Sequence, residues 1–353
     1  MDNTEYTIQV SGNAPKLYPT DTLFGLLWYS ENEAIEIPKA LPYYGEWGDV
    51  ISEVLPLRED FPMPTKLNLL WLAITEQKFY EVEATLPVDL MIQKWNYYEM
   101  DENTSFSHIV VGMAPYGKVA IWFHGRNKSV IIDCLQGILT EIEMEDFLPF
   151  YSGQTLHQYC NQLIEQIPSA KQNLSTNSLP PRDLFDNYMK QFTYRYLPMF
   201  RHWDKDEEKW QQYTEEEQET KPELDYIEET LYDGTHDKLH DGGLLNYHEA
   251  GKPKKLAVKW HIKKSEYIAY FWFEDEAIRA VFDKFYGIHP DTKTDFVIHI
   301  DPEKKKYELA LYRYGMNEPK PISEDAYQLI VFKNKFEQYR SPNYNQPRGA
   351  WIW

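Results

Sequence analysis

Two stretches of this 353-residue chain share one pattern, and that pattern limits what the chain can fold into. PTKLNLLWLAITEQKFYEVEATLP begins at Pro64 and PKKLAVKWHIKKSEYIAYFWFED at Pro253. Each sets Lys-Leu two and three residues after the proline and a tryptophan seven after it, Trp71 and Trp260. Each then passes through a polar break, TEQK or KKSE, into a second aromatic run. Apolar runs around a short polar break predict a β-hairpin in each half, over 66–74 with 78–85 and over 255–262 with 267–273. A helix is expected after each hairpin. DEAIRAVFDKFYG sets Ile278, Val281, Phe282 and Phe285 at helical spacing, with acids in its first turn and Gly287 at its end. PVDLMIQKWNYY offers Leu90, Met91 and Trp95 as its apolar face.

A further strand, turn and strand follow in both halves. HIVVGMAPYGKVAIWFHG closes on Gly125, and FVIHIDPEKKKYELALYRYG closes on Gly315. Pro115 and Gly117 suit a tight turn. A phosphate loop needs GxxxxGK[ST] spacing and a helix after it, and neither is present. Val119, Ile121 and Phe123 are expected to face one layer of the core. Recurrence of ββα then ββ points to a repeated supersecondary unit. The expected fold is α+β, with two tandem repeats. Each repeat is a mainly antiparallel, sandwich-like β-unit with one or two packed helices.

Residues 1–167 are expected to form the first domain. Leu156, Tyr159, Cys160, Leu163, Ile164 and Ile167 make an amphipathic stripe that Pro168 ends, and PSAKQNLSTNSLPP (168–181) reads as a linker. The second domain is expected over 182–353. It would start with a helix burying Leu184, Phe185, Tyr188, Met189 and Phe192 and carry an acidic insertion.

Aromatic residues make up 16% of the chain, more than disordered chains carry, so a buried core is expected. The formal charge of −20 argues against non-specific nucleic-acid binding and against an anionic membrane surface, because both need a basic face. Cys134 and Cys160 fit no zinc motif and read as small buried apolar residues. The start lacks a basic and apolar leader, and no run approaches the ~18 apolar residues of a membrane span. A cytoplasmic location is therefore expected, with a periplasmic one as the lesser alternative.

No GxSxG elbow and no catalytic cysteine signature occurs. The densest potential metal ligands are His236, His240 and His248 with Asp237, Asp241 and Glu249, but HExxH spacing is missing and the nearby glycines suggest a polar loop. His124 and His299 fall in expected strands and read as packed or edge residues. Residues 204–229 hold 12 acids and 3 lysines. The plain reading is a solvated helix or tether. The functional reading is a partner-binding face built from Asp206, Glu207, Glu208, Trp210, Tyr213, Glu215, Glu216, Glu217 and Tyr226. There the charges steer a basic partner and the aromatics anchor it.

Trp71, then KFY at 78–80, then Leu86-Pro87, then Gly112, Ala114, Pro115, Gly117, Val119, Trp122 and Gly125 resemble the bacterial domain of unknown function 2931 over about residues 18–145. Trp71, Tyr80, Gly112, Pro115, Gly117, Trp122, Gly125 and the second-half Trp260 are its structural positions in this chain. The second half resembles a diverged copy, in which His299 stands at the place of Gly112 and DPEKKK replaces APYG. The resemblance implies no catalytic residues and no cofactor. Members of the family often look like neighbours of secreted antibacterial toxins, which implies an immunity role. The expected function is a non-enzymatic binding protein that occludes a basic cognate toxin. The alternatives are a metal-binding protein or hydrolase centred on the histidines, and a structural or assembly subunit.

Overall fold

The computed structural model describes residues 6–39, 42–51, 61–99, 105–148, 153–176, 179–240, 246–287, 289–314 and 319–346. Gly315, Asp241, Gly242 and Gly243 lie outside the described residues. The chain divides into two compact units, residues 1–189 with 233–235 and residues 190–232 with 236–353. The architecture is α+β with mainly antiparallel sheets. No helix among the described residues is long and apolar enough to cross a membrane.

Unit 1 contains β1 (Gln9–Asn13), β2 (Thr20–Trp28), β3 (Ala34–Glu36), β4 (Lys66–Ala73), β5 (Lys78–Thr85), α1 (Val88–Glu99), β6 (Phe106–Ala114), β7 (Lys118–Gly125), β8 (Ser129–Gln136) and β9 (Ile138–Thr140). It ends with α2 (Met144–Phe147), α3 (Leu156–Gln166), α4 (Pro168–Thr176) and α5 (Leu184–Tyr188). One sheet runs β1-β6-β7-β8, with β1 parallel to β6; the other runs β3-β2-β4-β5-β9. Leu67, Leu69 and Trp71 of β4 meet Ile109 and Val111 of β6 and Val119, Ile121 and Phe123 of β7, with Met91 and Trp95 of α1 in the same core. Near their connecting turn, the other face of β4 and β5 is apolar too. Leu72, Ile74 and Phe79 pack against Phe147, Tyr159, Cys160, Leu163 and Ile164 of α2 and α3. A strand covered on both sides reads as a continuous apolar run, as LNLLWLA does.

Unit 2 contains β10 (Phe192–Phe200), β11 (His202–Asp204), β12 (Lys209–Gln211), β13 (Glu223–Leu231), β14 (His236–Leu239), β15 (His248–Ala250), β16 (Pro253–Ile262), β17 (Ser265–Phe273) and α6 (Asp275–Tyr286). β18 (Thr294–Asp301), β19 (Lys306–Arg313), β20 (Lys320–Ile322), β21 (Tyr327–Lys333) and β22 (Phe336–Arg340) complete it. Its sheets run β15-β10-β18-β19-β20, with β10 parallel to β18, and β14-β13-β16-β17-β21-β22. Without β15 and β22, both orders match those of unit 1, in agreement with the expected repeat. Leu256, Val258 and Trp260 face the core with Phe271, Phe296, Ile298, Leu309 and the α6 residues Ile278, Phe282 and Phe285.

Several sequence expectations need correction. The expected linker 168–181 instead begins with α4, because Pro168 opens a helix rather than ending in coil: the Lys171 amide donates to the Ile167 carbonyl at 3.0 Å and Ala170 is fully buried. The boundary between the units falls after Met189. Leu184 and Phe185 of α5 therefore belong to unit 1, packed beside Trp47 and Trp122, while Phe192 starts a strand of unit 2. Leu90 is exposed, and Met91 and Trp95 are the buried residues of α1 among those whose burial is described. Cys134 is exposed, since β8 is an edge strand; Cys160 is buried as expected.

The β6–β7 hairpin turns at Pro115–Gly117, with Tyr116 (φ 63) and Gly117 (φ 74) both left-handed. The Glu76 carboxylate holds this strained turn by accepting from the Tyr116 amide at 2.7 Å and from the Tyr80 hydroxyl at 2.9 Å. A side chain at Gly112 would come within 2.5 Å of the Trp122 ring. That close approach explains the glycine without any ligand.

Candidate functional site

The acidic segment of unit 2 is neither one helix nor a tether. It is the β11–β12 hairpin, a short 3-10 helix over Glu215–Thr220, and the first residues of β13. Its sequence interleaves acids with Trp203, Trp210 and Tyr213, and these aromatics point down rather than out. Trp210 stacks on His299 of β18 with centroids 5.1 Å apart at 16°, and its indole donates to Glu308 at 2.7 Å. Trp203 meets Trp210 edge-on at 5.3 Å, and its amide donates to Asp301 at 2.7 Å. Asp301 is fully buried and also accepts from the Glu303 and Lys304 amides, both at 3.0 Å. One carboxylate thus shapes the β18–β19 turn and ties down the root of the hairpin. Tyr213 packs on His202 at 4.1 Å, and Glu217 lies 3.4 Å from the same imidazole.

Burial pushes His299 down to about 4, with Arg201 adding to the effect, so the ring that carries Trp210 is neutral at pH 7. At the base of the turn, Asp204 accepts from the Glu207 and Asp206 amides at 3.1 and 2.9 Å, and those bonds hold its carboxyl below the ordinary value. The Thr214 amide does the same for Glu217. Asp206, Glu207, Glu208, Glu215 and Glu216 remain exposed, and Glu207 pairs with Lys209. The expected face is therefore divided. Its carboxylates are presented, while Trp210 and Tyr213 serve as roots and are not free to anchor a partner.

Tyr226 sits elsewhere, on the outer face of the six-stranded sheet. There Lys238 lies 3.9 Å from its ring centroid, beside a groove of about 360 Å³ lined in part by Lys259, Tyr270 and Phe332. Alternation along β14 puts His236 and His240 on that same outer face, where His240 meets Tyr226 edge-on. His248 is on the core side, 3.8 Å from Glu229, an ion-pair distance rather than a hydrogen bond. The three candidate metal ligands are thus split, with His236 and His240 on the outer face of the six-stranded sheet and His248 on the core side of the five-stranded one. Among the described residues no group of three or more His, Cys, Asp or Glu is arranged to hold a metal ion.

Sequence reasoning missed the polar cluster around Glu229. This buried carboxylate accepts from the Tyr196 hydroxyl at 2.7 Å and faces His248. Burial, with the Glu229 charge, raises the Tyr196 phenol well above its ordinary value. Burial alone would lower the His248 imidazole, but attraction to Glu229 and the Asn246 carbonyl outweighs it and the net shift is upward. A parallel pair exists in unit 1, where the Tyr159 hydroxyl donates to Asp21 at 2.5 Å and burial raises that carboxyl to about 6. Strand alternation hinted at Glu229, which breaks the apolar inward row of Ile227 and Leu231; Asp21 lies opposite Leu72 on the face that α3 covers.

No curated protein and no solved structure matches the chain. A family described as Protein of unknown function (DUF2931) matches residues 3–180, which takes in β1 to α4 and the Trp71, Gly112 and Trp122 positions. On that match over half its length, the chain belongs to the DUF2931 family.

Proposed function

We propose that this chain is a non-enzymatic binding protein of the immunity type, acting in the cytoplasm to neutralise a secreted antibacterial toxin by covering it with the acidic face of unit 2. One observation carries the reading. The exposed carboxylates of residues 206–216 project from a segment whose root is fixed by His299, Asp301 and Glu308. Charges held in place orient an incoming basic surface without an ordering cost at contact. The family's resemblance to neighbours of toxins supports the same reading.

The test is co-expression with the product of the gene immediately upstream, followed by gel filtration and association kinetics. A complex is expected whose on-rate falls with salt, and falls about tenfold when Asp206, Glu207 and Glu208 become Asn, Gln and Gln. The reading fails if no complex survives gel filtration and cells deleted for this gene are indifferent to that product.

A further inference from the structure

Close to the root of the acidic hairpin, three tyrosines from three strands converge. Tyr307 of β19, Tyr327 of β21 and Tyr339 of β22 wall a cavity of about 110 Å³ together with Leu329, and Glu324 and Asp325 also line it. The Tyr307 and Tyr339 rings are 5.2 Å apart and tilted by 43°. Tyr307 and Tyr327 are buried, whereas Glu324 and Asp325 are exposed, so the aromatic walls lie deep and the carboxylates lie at the solvent side. Burial raises all three phenols, which are therefore neutral at pH 7 and present uncharged, electron-rich rings.

Neutral aromatic walls with an anionic entrance are the arrangement that holds an organic cation, because the ring quadrupole attracts it and the carboxylates replace part of its hydration. The volume equals about three to four waters at ~30 Å³ each, which suits an ammonium and its last methylenes. Lys306, the adjacent cation, already pairs with the entrance carboxylate Glu324 as well as with Glu308, so an incoming ammonium shares Glu324 with it. Its amine is 3.0 Å from Glu308 and 3.6 Å from Glu324 and lies 5.2 Å from the Trp203 ring centroid. Through Trp203 and Lys306 the cavity borders the acidic hairpin.

We propose that the Tyr307–Tyr327–Tyr339 cavity binds a lysine side chain, presented by the basic partner that the acidic hairpin attracts. The identity of the presenter rests on the proposed function; binding of the ammonium does not. The probe is n-butylammonium, with n-butanol as its neutral counterpart, titrated into the full chain by saturation-transfer NMR. Saturable binding is expected for the ammonium, at least tenfold tighter than for the alcohol. The Glu324→Gln/Asp325→Asn double variant should weaken it at least about fivefold with an unchanged melting temperature, since both side chains are exposed. Equal binding of the alcohol, or ammonium binding unaffected by the double variant, overturns the site. In the gel-filtration experiment, a complex equally stable with the double variant overturns the partner's lysine while leaving the proposed function intact. Ammonium binding in the absence of any complex does the reverse.

Discussion

In unit 1, Leu72 and Phe79 pair across β4 and β5 and lie beneath α3. The pairs Trp71–Tyr80 in unit 1 and Trp260–Tyr267 in unit 2 set the two hairpins in the same register, which puts His261 and Glu266 of unit 2 at the places of Leu72 and Phe79. The inner faces of the hairpins are alike, with both tryptophans fully buried. The outer faces differ. One is apolar and carries helices; the other carries Lys255, Lys259 and His261 among Tyr270 and Trp272, and no helix of unit 2 packs on it among the described residues. The second pair of faces differs in the same way. Where unit 1 lays Trp47 and Phe185 of α5 beside Trp122 and over Gly112, unit 2 lays Trp210 of the acidic hairpin on His299. Similar sheets thus accept different coverings, and the covering follows the residues of the outer face.

The strongest way to break this comparison is to truncate the matched positions. Leu72→Ala should cost about 2–5 kcal/mol, because the residue is fully buried and a cavity remains under α3. His261→Ala, half-exposed and paired with Asp225 and Glu223, should stay within about 1 kcal/mol. Urea unfolding followed by probes in each unit measures both; equal losses would mean that the coverings do not differ energetically.

A smaller effect sharpens the contrast between buried and solvated carboxylates. Asp21 lies opposite Leu72 and Glu223 opposite His261, yet only Asp21 is buried. Its carboxyl is raised from 3.8 to about 6, so the folded state holds the proton more tightly than the unfolded one. Stability from this group is greatest below pH 3.8, falls as pH rises towards 6, and stays lowered above that. Asp21→Asn should therefore stabilise the protein by about 2–3 kcal/mol at pH 7 and remove that slope, whereas truncating the exposed Glu223 to Ala should change stability at pH 7 by less than about 1 kcal/mol. Thermal melts between pH 4 and pH 8 decide the point.

The smallest effect concerns the two tyrosine–carboxylate pairs. Unit 2 adds His248 to its pair; unit 1 has Asp21 and Tyr159. The imidazole is raised above 6.5 in the folded state, so its contribution is full below pH 6.5 and is lost as pH rises through the folded value. The difference between wild type and His248→Gln should be largest at pH 5.5 and shrink by pH 8.5. A difference that grows with pH would reverse the assignment.

Much of this was legible in local pattern. LNLLWLA is apolar on both faces and LAVKWHI on one, so the sequence already encoded which hairpin would be covered twice. The helix with Ile278, Phe282 and Phe285 was equally plain. What escaped depends on distant pairing. Met189 and Phe192 fit one helical stripe, yet Phe192 begins a strand that pairs with β18 a hundred residues later. The acidic stretch sets its strand-forming aromatics singly among charged residues, and its hairpin exists because His299, Asp301 and Glu308 receive Trp203 and Trp210. Tyr307, Tyr327 and Tyr339 carry no local mark at all; only strand order brings them together.

The rooting of the acidic hairpin has a consequence for how such a protein can change. Its fixed contacts sit at Trp203, Trp210 and Asp204, while Lys205–Glu208 form an exposed tip outside the core clusters. Substitutions there alter the charge shown to a partner at almost no cost in folding. Anchor and display are thus separate compartments of one short segment, and recognition can drift as a partner drifts while the scaffold stays as it is.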